Sequence, residues 1–193
     1  FSEYNNLLQN NGRSDGCDYD KYKSFFAKLS MNGLTLESAY ISRDKGIPTG
    51  VWGTIFNESS NQTTDENSFL NLKYEKYFNN SIYMTAKAFY GKYKYNGLYI
   101  INPFNKDTAR GEWWGTELQL EKTLFNKHHV TVGAEYRDDF TQNQANYDDN
   151  PYKEKLDDKR SSNNWGAFFQ DVFTINKNLI LNAGVRYDYY KDF

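Results

Sequence analysis

The chain has 193 residues, a formal net charge of -2 and 38% hydrophobic residues, yet 18% of it is aromatic. Its 17 Tyr and 14 Phe are too many for a disordered chain, and a slightly acidic balance offers nothing to a nucleic-acid backbone. No run approaches the eighteen or so apolar residues of a transmembrane helix, while three prolines and abundant Tyr, Phe, Thr and Val favour strands. An all-β protein is expected. One cysteine, Cys17, rules out an internal disulfide, and no zinc-ligand spacing occurs. The chain opens at Phe1 without Met or an apolar leader, as a mature, trimmed or partial chain would.

In chain order, strand-like segments meet at four tight turns, Asn32-Gly33, 79–81, 126–128 and 176–178, in steps of 47, 47 and 50 residues. Asn and Gly accept the positive φ that such hairpin turns need, and a fixed stride marks an internal repeat. Long polar segments lie between the turns, roughly 44–66, 96–112 and 141–163, so each repeat reads as strand, short turn, strand, long loop.

The strands leaving the turns carry an apolar stripe at every second residue. These stripes are Leu34, Leu36 and Tyr40; Ile82, Met84, Ala86, Ala88 and Tyr90; Val130, Val132, Ala134 and Tyr136; Leu179, Leu181, Ala183, Val185 and Tyr187. Each begins aliphatic and finishes with Tyr. The opposite face carries Thr, Gly and charged residues, among them Glu135, Arg137, Arg186 and Asp188. The arriving strands behave alike, with Phe25 to Met31, Leu70 to Tyr74 and Trp114 to Leu120 against Glu117 and Glu121. Only 164–175 breaks the pattern, through Phe168 beside Phe169.

A soluble sandwich also alternates. Strands of ten to fourteen residues and charges in mid-strand at every repeat instead favour a transmembrane barrel, whose apolar face meets lipid and whose polar face lines the interior. Six to eight residues span roughly 20–26 Å, close to the apolar band of an outer membrane. With short turns periplasmic and long loops extracellular, both ends fall on the extracellular side. The expectation is therefore an antiparallel up-and-down segment of about eight strands, four hairpins over 1–193, within a larger barrel.

Segment 164–171 (NWGAFFQD) followed by 179–188 (LILNAGVRYD) resembles the mid-barrel hairpin of the TonB-dependent outer-membrane receptors. Segment 130–137 (VTVGAEYR) is similar to that family's preceding strand, and 43–49 with 53–57 to the loop region upstream. The resemblance implies a barrel of about 22 strands closed by an N-terminal plug. It also implies a TonB complex engaged through a TonB box, and a bulky cargo such as a ferric siderophore, haem or cobalamin. Neither plug nor TonB box is read within 1–193.

Loop aromatics supply large contact area at low entropy cost. Trp52, Phe56, Tyr99, Phe104, Tyr147 and Tyr152 are therefore candidate ligand contacts, with loop packing as the alternative. Trp113 and Trp165 read as girdle residues. Asp148, Asp149, Asp157 and Asp158 offer oxygen ligands for a structural Ca²⁺, as do Asp15, Asp18 and Asp20, or simply solvated loop charge. Glu117, Glu121, Glu135, Arg137, Arg186 and Asp188 face the barrel interior, either against a plug and solute path or in cross-strand ion pairs. His128 and His129 read as a solvated turn, and Cys17 as incidental. No nucleophile motif is present, so no enzymatic activity is expected. The leading function is active nutrient import. A passive pore or adhesin barrel and a soluble β-rich binding module are the alternatives.

Overall fold

A computed structural model describes residues 2–78 and 81–191. After two short 3-10 segments, Ser2–Tyr4 and Leu7–Gly12, the chain forms eight strands. They are β1 (Asp20–Met31), β2 (Leu34–Gly46), β3 (Gln62–Phe78), β4 (Ile82–Tyr99), β5 (Asn105–Leu124), β6 (His128–Asp149), β7 (Tyr152–Asn176) and β8 (Leu179–Lys191). Each strand pairs antiparallel with the next, in the order β1 to β8. Every residue of β1 and of β8 is exposed, as the rims of an open sheet must be. Among the described residues no helix is long and apolar enough to cross a membrane, a fact silent about strands.

The turns follow from local chemistry. Asn32 and Gly33 sit at φ 51° and 82°, and a Cβ on Gly33 would lie 2.3 Å from the Glu75 carbonyl oxygen. The third turn is shifted from its expected place: Phe125 and Asn126 take φ 54°, and His128 already opens β6. In the fourth, the amide of Asn178 donates to the Asn176 side chain at 2.9 Å. Of the turn expected at 79–81, Asn79 and Asn80 lie outside the described residues; the Ser81 amide donates to the Phe78 carbonyl at 3.1 Å.

The long polar segments are mostly strand, which corrects the loops expected at 96–112 and 141–163. β4 continues to Tyr99 and β5 starts at Asn105; β6 ends at Asp149 and β7 starts at Tyr152. Only 47–61 remains a long connection. In these extensions both faces are polar, so alternation disappears while the backbone ladder continues. Cross-strand pairs such as Lys106–Asp149 at 2.6 Å and Lys94–Glu66 at 3.6 Å accompany it.

The register sorts the side chains into two faces. On one, a row runs Met31, Leu34, Tyr74, Ala86, Leu118, Ala134, Ala167, Tyr187, and the next runs Leu29, Leu36, Leu72, Ala88, Thr116, Tyr136, Trp165, Tyr189. The stripe-ending aromatics form a sloping line. Tyr40 lies in the row of Phe25, Tyr90 and Trp114 one row nearer the short turns, and Tyr136 and Trp165 one row further. Two rows are four residues, ~13 Å along the strands, over the four spacings (~19 Å) from Tyr40 to Tyr136 or the five (~24 Å) to Trp165. The slope is roughly 30–35°, close to the tilt of strands in a membrane barrel. Trp114 against Tyr136 (5.5 Å) and Trp165 against Tyr187 (5.6 Å) join neighbouring members.

The opposite face is polar and held by ion pairs and by rings lying on glycines. Glu117 and Glu135 are direct cross-strand neighbours. Lys87 bonds Glu117 at 3.0 Å, and Arg186 bridges Glu135 and Asp188. Phe168 lies over Gly133, where a Cβ would meet its ring at 2.3 Å, and near the Arg186 guanidinium. Its aromatic character on this face is thereby explained: the ring fills the gap left by a missing side chain. Phe89 over Gly115 repeats the device. Trp113 does so over Gly91, with Arg137 5.0 Å from its ring, so Trp113 belongs to the polar face and Trp114 takes the girdle position. Nor are the histidines a merely solvated turn: His128 bonds Asp171 at 2.6 Å and stacks on Phe173, and His129 bonds Glu121 at 3.1 Å.

Candidate functional site

The buried core of the described residues is small and lies at the long-loop end, under connection 47–61. Asn61 is fully buried at its centre. Its side chain donates to the Ile55 carbonyl at 2.9 Å and accepts from the Ile100 amide at 2.7 Å, and its carbonyl accepts from the Ile47 amide. Phe56 is buried and stacked on Tyr4 at 4.3 Å. Cys17, also fully buried, donates to the Asp15 carbonyl at 3.2 Å. The Asn61 bonds clamp the connection onto the ends of β3 and β4, and Tyr4 covers it from the N-terminal segment.

The clamp presents Trp52 at the mouth of a cavity of ≈ 380 Å³, lined also by Tyr99, Ile101, Asn105, Asp107, Asn146 and Lys155. Trp52 is 73% exposed and meets Tyr99 edge-on at 5.4 Å. Tyr99 shares a 2.5 Å hydrogen bond with the Tyr95 hydroxyl. Asn105 and Asn146 exchange amide hydrogen bonds at 2.9 and 3.1 Å across β5 and β6. Burial pushes the Asp107 carboxyl above its usual range, while Lys155 and then Asn105 hold Asp148 below it. Further down the polar face a second cavity of ≈ 560 Å³ is lined by Tyr93, Trp113, Arg137, Asp139, Gln142 and Arg160, among others.

The six candidate aromatics therefore do not form one site. Trp52 and Tyr99 do. Phe56 packs the connection, and Phe104 is half exposed beside the β5 start. Tyr147 meets Tyr152 at a tilt of 42°, with ring centroids 5.5 Å apart; Tyr147 pairs with Lys106, on the face opposite Asn105 and Asp107. The polar partners Asn105, Asp107 and Asn146 escaped sequence reading, because only the register brings them together.

The expected calcium ligands do not converge either, and that expectation is corrected. Asp148 bonds Lys155 at 2.5 Å, Asp149 bonds Lys106, Asp157 bonds Lys159 at 2.9 Å and Asp158 bonds Arg160 at 2.7 Å. Asp18 pairs with Lys45 and Asp20 with Arg43. Six of the seven carboxylates have a cation of their own, Asp15 instead accepts from the Asn10 side chain at 2.9 Å, and among the described residues no three acidic, His or Cys side chains form a metal-sized cluster. The six charged residues expected on one face are there. Glu117 pairs with Lys87, Glu135 and Asp188 share Arg186, Glu121 bonds His129, and Arg137 bonds Asp139 at 2.7 Å.

Three comparisons place this arrangement. No curated protein sequence matches the chain. Among solved structures, the ferric citrate transporter FecA in its unliganded form is similar in fold, with a TM-score of 0.63 at 12% identity. The match covers 89% of this chain and 29% of that one, so the chain spans less than a third of that structure's length. The family model described as TonB dependent receptor-like, beta-barrel, matches residues 3–193. The chain belongs to the TonB-dependent receptor-like β-barrel family, as an eight-strand section of such a barrel.

Proposed function

We propose that this chain is a wall section of an outer-membrane receptor that binds a scarce, bulky nutrient and imports it actively. Ferric siderophores, haem and cobalamin set the size range of such cargo. The apolar face meets lipid, and the polar face, with Glu117, Glu121, Glu135, Arg137, Arg186 and Asp188, lines the lumen against a plug. Short turns face the periplasm. The ends of β3 to β7 stand outside the membrane and carry the ligand site, and the TonB complex drives release through a plug outside this segment. The role is binding and transport rather than catalysis. One observation supports this most strongly: the aromatic line crosses the strands at about the tilt of a membrane barrel, over a face otherwise aliphatic at mid-height.

The test uses the full-length receptor in cells with and without TonB, offered ferric citrate, haemin, cobalamin and maltotriose. Uptake of at least one that stops when TonB is removed or the proton-motive force collapses is the expected result. Uptake indifferent to both would make the protein a passive pore. No uptake of any of them would refute nutrient import.

A further inference from the structure

The cavity under Trp52 has features that narrow the cargo. Trp52 sits at φ 56°, ψ 23°, in the left-handed region that bulky residues avoid, and is followed by Gly53 at φ 80°. Backbone strain of this kind persists only where the surroundings enforce it, and it gathers at ligand sites. Here the clamp around Asn61 enforces it. The result is an exposed indole set edge-on to Tyr99, two aromatic surfaces at the rim of one cavity.

The floor is polar and not cationic. Asp107 brings a carboxylate, and Asn105 and Asn146 bring carboxamides that already bond each other. Lys155 is the one cation in the lining, and Asp148 holds it at 2.5 Å. A polyanionic chelate entering here would meet Asp107 with its only counter-charge already engaged. A sugar ring meets matching chemistry: its C–H face lies on an indole, and its hydroxyls donate to a carboxylate and to amide oxygens. A cavity of ≈ 380 Å³ falls within the range of small-ligand sites.

We infer that the cavity bounded by Trp52, Tyr99, Asn105, Asp107 and Asn146 binds a neutral, hydroxyl-rich ring, a sugar residue of the cargo, in preference to an anionic metal chelate. The inference rests on the reading of this chain as part of a nutrient receptor. Trp52 is the stacking platform, Asp107 is the hydroxyl acceptor, and Tyr99 braces the indole.

The experiment is isothermal titration calorimetry of the full-length receptor in detergent with maltotriose, cellotriose, mannotriose, xylotriose and ferric citrate. At least one trisaccharide binds. Its affinity falls by about thirtyfold in Trp52→Ala, stays within about fivefold in Trp52→Phe, and falls about tenfold in Asp107→Ala. Unchanged spectra and heat-modifiability on gels verify that each variant is folded. Three results would overturn the site: no trisaccharide binds, a trisaccharide binds equally in Trp52→Ala and Asp107→Ala, or ferric citrate is the ligand that needs Trp52. Sugar binding that depends on Trp52 in a receptor whose uptake ignores TonB would refute active import and leave the site standing. TonB-dependent uptake with no role for Trp52 would do the reverse.

Discussion

Val132 and Thr131 are adjacent in β6 and point to opposite faces, so a lysine at each tests the orientation of the sheet with little change in sequence. Val132 lies between Leu120 and Phe169, in the middle of the aliphatic stripe between Val130 and Tyr136. If that face meets hydrocarbon, Val132→Lys puts an ammonium near the midplane, which in outer-membrane barrels costs about 2–4 kcal/mol. Thr131 lies between Glu121 and Gln170. A lysine there gains a carboxylate neighbour in a hydrated lumen, so its cost is within about 0.5 kcal/mol of zero. The difference corresponds to a factor of roughly 30 to 1000 in the folding equilibrium.

The measurement is denaturant unfolding of the full-length receptor reconstituted in lipid vesicles, compared with assembled protein in outer membranes. Val132→Lys is expected to lower the unfolding midpoint and the assembled fraction, and Thr131→Lys to leave both near the parent. Leu181→Lys, nearer the short turns, should fall between them, because the penalty declines toward the interface. Equal costs at 131 and 132, or a larger cost at 131, would refute the assignment of faces.

Two further outcomes follow from the long-loop end. Asn61→Leu leaves the Ile55 carbonyl and the Ile100 amide without their side-chain partner, at about 1–3 kcal/mol for each orphan. Protease cleavage within 47–61 should therefore rise at least tenfold while unfolding of the barrel is unchanged; an unaltered cleavage rate would show that Asn61 is not the clamp. The Asp148 carboxyl is held below its usual range by Lys155 and then Asn105, so its stabilisation is complete above the ordinary carboxylate pKa and is lost as pH falls through the lowered folded value. Amide-exchange protection around Asn105 and Asp148 should be flat from pH 7 to 5 and drop below about pH 4, and Asp148→Asn should remove the step. A step that survives in Asp148→Asn would assign it to another group.

The spanning part of the wall was legible because its physics is periodic. One face must be apolar and the strand repeats every two residues, so Ile82 to Tyr90 or Leu181 to Tyr187 declare their face without any partner. Phe168 looked anomalous because the residue that explains it, Gly133, lies 35 positions away in sequence and next to it only in the sheet. Trp113 and Trp114 could not be told apart for the same reason: Gly91 opposite the first decides which indole turns inward. Beyond the girdle, water satisfies either face, and polar sequence became indistinguishable from loop. The ladder of β5, β6 and β7 nevertheless continues there, because antiparallel neighbours already in register need no apolar face to go on pairing.

The candidate site shows how far a single extra residue can hide a constellation. Up to Asp139 the odd-numbered residues of β6 share the polar face, as Glu135 and Arg137 do. The register then shifts between Asp139 and Gln142 against β7, and at the same level against β5, so one residue of β6 is left over. Such a bulge inverts the side-chain sense of everything beyond it. From there the even-numbered Gln142, Gln144 and Asn146 share the face of Asp107, and Tyr147 is turned to the other side with Lys106. Counting by two from Val130 would have put Tyr147 into the cavity and Asn146 outside it, the reverse of what the sheet does. Aromatic content drew attention to Tyr147, yet the bulge gives the position opposite Asp107 to a carboxamide. A floor of Asn105, Asp107 and Asn146 beneath Trp52 therefore depends on an irregularity in the backbone as much as on the identity of its side chains.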